Sequence, residues 1–154
     1  MPVVWFAHVA LNCRDMAATE LFYVRYFGFV RARHVPVGGG QIVYLRAGQV
    51  CLELFAAEGK SPLPAPVKDG YTFPGIRHLA FQVDNVDAKL SEMGADARIM
   101  HGPICFDAFI RGWKTAWIAD PDGTIVEISQ GYVDQESPPR LQAKVSSSLS
   151  GEQS

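Results

Sequence analysis

The sequence is poor in the residues that cross-link or anchor a protein. Its three cysteines, Cys13, Cys51 and Cys105, are widely spaced among apolar neighbours, and none forms a Cys-x-x-Cys pair. This pattern excludes a disulfide framework and a cysteine-based structural zinc site, and it indicates reduced, mostly buried thiols. No apolar run approaches the ~20 residues that span a bilayer. The opening MPVVWFAHVALNC also lacks the basic region and long apolar core of a signal peptide, so we expect a cytoplasmic protein.

An excess of charge of one sign is also missing. The net charge is -2, with 19% charged and 48% hydrophobic residues, which is a globular composition. Such a balance gives no electrostatic reason to expect nucleic acid or a membrane surface as partner. The 154 residues are enough for one ordinary domain, or for two small modules that share a core. We expect a protein that acts on a small molecule.

The first third of the chain predicts one helix among four strands. VVWFAHVALN is rich in strand-forming residues, and RDMAATELFYVRYFGF follows it with Asp15 as the predicted N-cap and Gly28 as the predicted end of a helix. The apolar residues at helical spacing are Met16, Leu21, Val24 and Phe27. Three short strands are then predicted in VRARHVPV, GQIVYLRAG and QVCLELFAA, separated by glycines.

The same order returns after the proline-rich stretch EGKSPLPAPVKDGYTFPG, which we interpret as a linker or flexible loop. IRHLAFQV predicts a strand and DNVDAKLSEMG a helix capped by Asn85 and ended by Gly94. Strands are predicted in DARIMHGPI, WKTAWIAD and TIVEIS, the last two joined by a tight turn in which Gly123 can take a positive φ. Each half therefore reads β-α-β-β-β, which indicates an internal duplication.

We therefore predict one domain over residues 1–134, made of two βαβββ modules at about 1–57 and 75–134 with a linker at 58–74. Residues 135–154 are polar and Ser-rich, without an apolar face, and are expected to form a disordered tail.

One pair of residue types occurs at corresponding positions in both modules. His8 and His78 each stand early in the first strand of a module, and Glu53 and Glu127 each stand in the last strand. A glutamate inside an apolar strand is costly to bury unless it is paired or binds a metal. Alternate residues of a strand share a face, so each module offers one face that carries a histidine and a glutamate. Two His and two Glu with open positions suit a divalent metal.

With these residues identified, the paired βαβββ modules resemble the vicinal oxygen chelate superfamily, which includes glyoxalase I. The similarity spans about residues 5–133, and DPDGTIVEI is its most specific local match. The resemblance implies an α+β fold of two βαβββ modules that form an open, cup-shaped barrel around a metal. It also implies His8, Glu53, His78 and Glu127 as metal ligands, and a homodimer. Zinc is the expected metal, with nickel, cobalt, manganese or iron as alternatives.

The two carboxylates suggest which chemistry within the superfamily applies. A metal that binds a carbonyl oxygen acidifies the adjacent C–H, and Glu53 or Glu127 could take that proton and return it elsewhere. This pattern resembles glyoxalase I and the related isomerases and epimerases. GIRHLAFQVDNV is similar to methylmalonyl-CoA epimerases, but those enzymes usually carry Gln where Glu53 stands. GWKTAWIADPDGTIVEISQGYVDQ is similar to cyclitol epimerases that act on 2-epi-5-epi-valiolone.

The expected function is therefore a metal-dependent isomerase or epimerase of a small carbonyl compound. A polyhydroxylated cyclic ketone is the first candidate for the substrate, and glyoxalase I and a methylmalonyl-CoA epimerase are the alternative enzymes. The alternative of another class is a resistance protein that sequesters a small molecule in the same cup. Trp5, Tyr44, Trp113 and Trp117 could stack on such a ligand, although aromatic residues on strands more often belong to the core. His34 and His101 lie in roughly matching places and are interpreted as exposed strand-end residues outside the site.

Overall fold

The computed structural model describes residues 1–142, which form two modules of the predicted order β-α-β-β-β. The first module comprises β1 (Val9–Cys13), α1 (Met16–Phe27), β2 (Val30–Val37), β3 (Gly40–Ala47) and β4 (Val50–Ala56). The second comprises β5 (Leu79–Gln82), α2 (Val86–Met93), a short 3₁₀ turn (Gly94–Asp96), β6 (Arg98–Cys105), β7 (Lys114–Ala119) and β8 (Ile125–Gln130). The predicted α+β class and the duplication are confirmed.

Each module builds one open four-stranded sheet, with the strand orders β1-β4-β3-β2 and β5-β8-β7-β6. In both sheets the first and last strands of the module pair in parallel, and the other pairs are antiparallel. One face of each sheet enters a common hydrophobic core that contains residues of both modules. The opposite faces carry the alternate residues, and those faces hold the histidines and glutamates discussed below.

The helix ends follow the predicted chemistry, but the buried face of α1 does not. The Asp15 carboxylate accepts from two backbone N–H groups, and Gly28 takes a left-handed φ of 69°. Leu21, predicted to face the core, is 61% exposed. The buried side of α1 consists of Thr19, Phe22, Tyr23 and Tyr26. This face of α1 is buried because its aromatic rings pack against the core, and because Tyr23 and Thr19 also form hydrogen bonds to the second module.

The first strand is shorter than predicted. It begins at Val9, and the apolar residues before it are exposed, with Val4 at 88% and Trp5 at 76%. Strand-forming residues need a paired neighbour, and the β1–β4 ladder runs only from Val9 opposite Leu52 to Cys13 opposite Ala56. The residues before Val9 therefore present an unpaired apolar segment at the edge of the first sheet.

Two of the three cysteines are buried as predicted. Cys13 and Cys51 are buried, but Cys105 is exposed, so the expected burial of that thiol was wrong.

The segment between β4 and β5 contains no helix or strand, and neither do residues 131–142. The remainder of the expected tail, residues 143–154, lies outside the described part of the chain. No helix within residues 1–142 has the length and apolar character needed to cross a membrane.

The turn between β7 and β8 ties the second module to α1. Asp120 is 1% exposed, and its carboxylate accepts from the Tyr23 hydroxyl at 2.9 Å and from the backbone N–H groups of Asp122 and Thr124. Thr19 donates to the Asp122 carboxylate at 2.6 Å. Burial raises the pKa of Asp120, and burial also raises that of Tyr23. The Asp120 carboxylate is thus part of the interior between the modules.

Asp120→Ala is expected to lower the free energy of unfolding by about 3 kcal/mol, because it leaves the buried Tyr23 hydroxyl and two backbone donors without acceptors. Urea denaturation followed by circular dichroism measures this loss. Glu58→Ala, on an exposed residue of the connecting segment, is the matched control and should stay within about 0.5 kcal/mol of the wild type. Equal denaturation midpoints for the two variants would contradict the role of the turn.

Candidate functional site

The structure brings the four predicted residues together as two pairs. His8 Nε2 lies 2.9 Å from Glu53 Oε2 in the first module. His78 Nε2 lies 2.8 Å from Glu127 Oε2 in the second module. Each pair thus places an imidazole nitrogen against a carboxylate oxygen with nearly the same spacing.

The strand register explains why both pairs form. Glu53 on β4 is opposite Ala10 on β1, and Glu127 on β8 is opposite Ala80 on β5. Each histidine stands two residues before its alanine, so it projects from the same face as the glutamate. The small alanine leaves room for the imidazole to reach the carboxylate. The duplication is therefore exact in register across these two strands.

Each glutamate also has an aromatic neighbour on the third strand of its sheet. Tyr44 is opposite Glu53, and its hydroxyl donates to Glu53 Oε1 at 2.5 Å. Trp117 is opposite Glu127, and its indole Nε1 donates to Glu127 Oε2 at 3.0 Å. The hydrogen bond to Glu53 raises the pKa of Tyr44. These two rings were predicted only as stacking or core residues, although strand alternation could have placed them beside the glutamates.

The connecting segment contributes a further contact that the sequence pattern did not predict. The Nδ1 atom of His78 lies 2.6 Å from the backbone carbonyl oxygen of Asp69. Arg77 binds the Asp69 carboxylate through Nε at 2.8 Å and lowers the pKa of Asp69. Gly70 allows this approach, because its φ of 124° is unfavourable for other residues and a Cβ there would overlap the Arg77 carbonyl. The segment therefore orients one histidine of the site.

These contacts fit a divalent metal. A carbonyl can only accept, so Nδ1 of His78 carries the proton and Nε2 is a lone-pair donor in the neutral ring. A lone pair 2.8 Å from a carboxylate oxygen needs a positive centre beside it, either a proton or a cation. Each pair places an imidazole nitrogen beside a carboxylate oxygen, and these two atoms could serve together as donors to one divalent cation. Imidazole and carboxylate donors suit zinc and the neighbouring divalent metals.

The two pairs remain separate in one chain. Within residues 1–142, no group of three or more His, Cys, Asp or Glu side chains is placed to hold a metal. The His8 side chain is 38% exposed, so the first pair faces an open surface. Each chain thus carries two half-sites, one per sheet, each with one nitrogen and one oxygen donor.

His34 and His101, which were predicted to lie in roughly matching places, occupy different positions on the outermost strands of the two sheets. His101 on β6 is opposite Trp117, and its ring lies 5.3 Å from the Trp117 ring. The residue opposite Tyr44 on β2 is Arg33, while His34 is exposed and pairs with Val43. His34 and His101 therefore do not occupy matching positions, because a register shift lies between Arg31 and Arg33. Only His101 belongs beside a half-site.

A cavity of about 420 Å³ adjoins the second half-site. Its walls are Ala80, Phe81, Gln82, Trp113, Glu127, Ser129 and Tyr132. Trp113 donates through Nε1 to the Ser129 hydroxyl at 3.1 Å, and the Tyr132 ring contacts the Trp113 ring edge to face. The cavity thus combines aromatic walls and hydroxyl or amide groups with one carboxylate, which is suited to a small organic ligand.

Comparison with known proteins agrees with this architecture. The family model of the Glyoxalase/Bleomycin resistance protein/Dioxygenase superfamily matches residues 5–128. Glyoxylase I 4 of Arabidopsis thaliana is 28% identical over 127 residues, which cover 79% of this chain and 67% of that protein. The solved glyoxalase family protein of Enterococcus faecalis is 31% identical with a TM-score of 0.60, over 81% of this chain and 96% of that chain. The lactoylglutathione lyase of Agrobacterium tumefaciens is 25% identical with a TM-score of 0.55, over 85% and 96%. The chain belongs to the Glyoxalase/Bleomycin resistance protein/Dioxygenase superfamily.

Proposed function

We propose that this protein is a divalent-metal-dependent isomerase or epimerase that moves a proton on the carbon next to a carbonyl group, through an enolate or enediolate. The observation that carries the proposal is the duplicated His–Glu pair, with separations of 2.9 and 2.8 Å at equivalent register positions. A sequestering protein needs a cavity, but it has no need of two carboxylates each held beside an imidazole in an apolar sheet.

The roles of the residues follow from their donors. His8 and His78 would hold the metal through Nε2, and Glu53 and Glu127 would complete the ligand set. When bound, the metal polarises a carbonyl oxygen and so acidifies the adjacent C–H. A glutamate beside that carbon can accept the proton and return it on another face or to a neighbouring carbon. Zinc is the proposed metal; nickel, cobalt, manganese and iron share the required donor preference.

The substrate proposed first is a polyhydroxylated cyclic ketone of the 2-epi-5-epi-valiolone type. The Ser129 hydroxyl and the Gln82 amide line the cavity beside Glu127, and each keeps hydrogen-bonding capacity for a hydroxylated ligand beyond its bond to Trp113 or to the Tyr132 carbonyl. Glyoxalase I activity is the second candidate, because the Agrobacterium relative is named a lactoylglutathione lyase. For the cationic contacts that glutathione needs, Arg14 is paired with Asp122, whereas Arg33 is exposed and stands opposite Tyr44. A methylmalonyl-CoA epimerase remains a further candidate, disfavoured by Glu53.

A complete four-ligand site requires a second chain in this proposal. The two half-sites of one chain are separate, and an isologous dimer could bring the first sheet of one subunit to the second sheet of the other. The exposed apolar segment before Val9 leads directly to His8 and offers a surface for that contact. The ligand arrangement and the uncovered segment together support the proposed homodimer.

The purified protein is accordingly expected to be a dimer at micromolar concentration. Light scattering coupled to size exclusion measures the mass of the species that carries the metal. Replacing Trp5 and Phe6 by Ser should shift the equilibrium towards monomer, because it removes two large apolar side chains that are 76% and 74% exposed in the single chain. A fully active, metal-loaded monomer would refute the shared site.

The function itself is tested by two measurements in sequence. Elemental analysis of the gently purified protein should find stoichiometric divalent metal. Incubation in D₂O with a panel of α-hydroxy ketones, glutathione hemithioacetals and acyl-CoA thioesters should then incorporate deuterium next to one carbonyl. A metal-free protein that binds a panel compound tightly and returns it without deuterium would support the sequestering function instead.

A further inference from the structure

The two half-sites match in register, but their carboxylates are held differently. Glu53 has a partner on each oxygen, with His8 Nε2 at Oε2 and the Tyr44 hydroxyl at Oε1. In the second half-site, His78 Nε2 and Trp117 Nε1 both contact Oε2 of Glu127. Within residues 1–142, no hydrogen bond reaches Oε1 of Glu127. The duplication therefore preserves the positions of the donors but not the oxygens they occupy.

This difference determines how freely each carboxylate can turn. A carboxylate bonded at both oxygens cannot rotate about its last carbon–carbon bond without breaking one of the contacts. A carboxylate bonded at one oxygen can pivot about that oxygen and swing the other one. The Tyr44 hydroxyl donates to a carboxylate oxygen, which is a strong type of hydrogen-bond acceptor. Glu53 is also 8% exposed, so packing restricts it further.

We propose that Tyr44 is a positioning residue that holds Glu53 as the rigid metal ligand, and that Glu127 keeps one oxygen open towards the substrate. This inference rests on the proposed metal-dependent function. Tyr44 acts through Glu53, because its hydroxyl points at the carboxylate and stands on the neighbouring strand β3. The open oxygen of Glu127 agrees with the position of this residue in the wall of the 420 Å³ cavity.

Tyr44→Phe in the full-length, metal-free chain tests the role of Tyr44. The ring is retained and only the hydroxyl is lost, so Glu53 becomes free to pivot. Co²⁺ affinity measured by calorimetry should fall about 10-fold to 100-fold, the usual effect of removing a group that orients a ligand. The visible absorption of the bound Co²⁺ should shift, because it reports how the carboxylate is placed. Thermal unfolding should show that the variant remains folded.

Trp117→Phe is the matched control in the other half-site. It removes a donor from Oε2 of Glu127, where His78 remains, and leaves Oε1 as free as before. We expect a smaller loss of Co²⁺ affinity and an unchanged absorption spectrum. A loss of affinity and a spectral shift equal to those of Tyr44→Phe would overturn the distinction between the two glutamates.

Double variants show whether Tyr44 acts through Glu53. Adding Tyr44→Phe to Glu53→Gln should cost little further affinity, whereas adding it to Glu127→Gln should cost the full factor again. Wild-type affinity and spectrum in Tyr44→Phe would overturn the positioning role and leave the metal-dependent function standing. A wild-type chain that binds no divalent metal would overturn both.

Discussion

Glu127→Gln and Glu53→Gln are each expected to keep the fold and much of the metal, and to lose about 10²–10⁴-fold in turnover. Glutamine preserves the shape of the side chain and can still coordinate through its oxygen, but it cannot accept a proton at neutral pH. Because Oε1 of Glu127 is open while both oxygens of Glu53 are engaged, we expect the larger loss in Glu127→Gln. Deuterium incorporation from D₂O, followed by mass spectrometry, measures the rate.

The pattern of losses identifies the mechanism. Epimerisation by two bases requires both glutamates, so both variants lose activity. A single base leaves one of the two variants largely active. Glu58→Gln, on an exposed residue outside the site, is the control for a general effect of removing a carboxylate. If both site variants turn over substrate at the wild-type rate with normal metal content, the carboxylates are ligands only and the proposed proton transfer is wrong.

The repeat was predictable from the sequence because the alternation along the strands and the repeated order of the elements agree between the two modules. Alternation gives each histidine and each glutamate a defined face of its strand, and the spacing is similar in the two modules, with 45 residues from His8 to Glu53 and 49 from His78 to Glu127. The strand register then brings each pair within 3 Å. Capping chemistry at Asp15 and Asn85 was equally local, since it depends on one side chain and the next three backbone N–H groups.

The unpredicted parts depend on contacts that are distant in sequence. The buried face of α1 is fixed by the second module, where Asp120 accepts from Tyr23. The orientation of His78 depends on the backbone carbonyl of Asp69, in a segment without periodicity. The first strand begins only at Val9 because, among residues 1–142, no strand pairs with Trp5. In each case the result depends on contacts with residues distant in sequence rather than on local propensity. Only the folded chain or its dimer supplies those contacts.

The second large effect concerns the two histidines. The proposed four-ligand site takes one half-site from each chain, so the loss of either histidine affects every site of the dimer. His8→Ala and His78→Ala, as separate homodimers, are each expected to lose most of their metal, because each removes a nitrogen donor from both sites of the dimer. Elemental analysis after dialysis against buffered metal measures the occupancy, with the exposed His34→Ala as the control that should retain the wild-type amount.

Mixing the two variant chains should restore part of the metal. In a heterodimer with shared sites, one site combines both defects, and the other combines the intact His8 of one chain with the intact His78 of its partner. Random pairing of equal amounts makes half of the dimers mixed, so roughly a quarter of the wild-type metal should return. Purification through two different affinity tags should raise this to about one metal per heterodimer. If each chain instead held a complete site, every chain in the mixture would lack a ligand and no metal would return. Stoichiometric metal in a chain carrying both His8→Ala and His78→Ala would place the metal elsewhere.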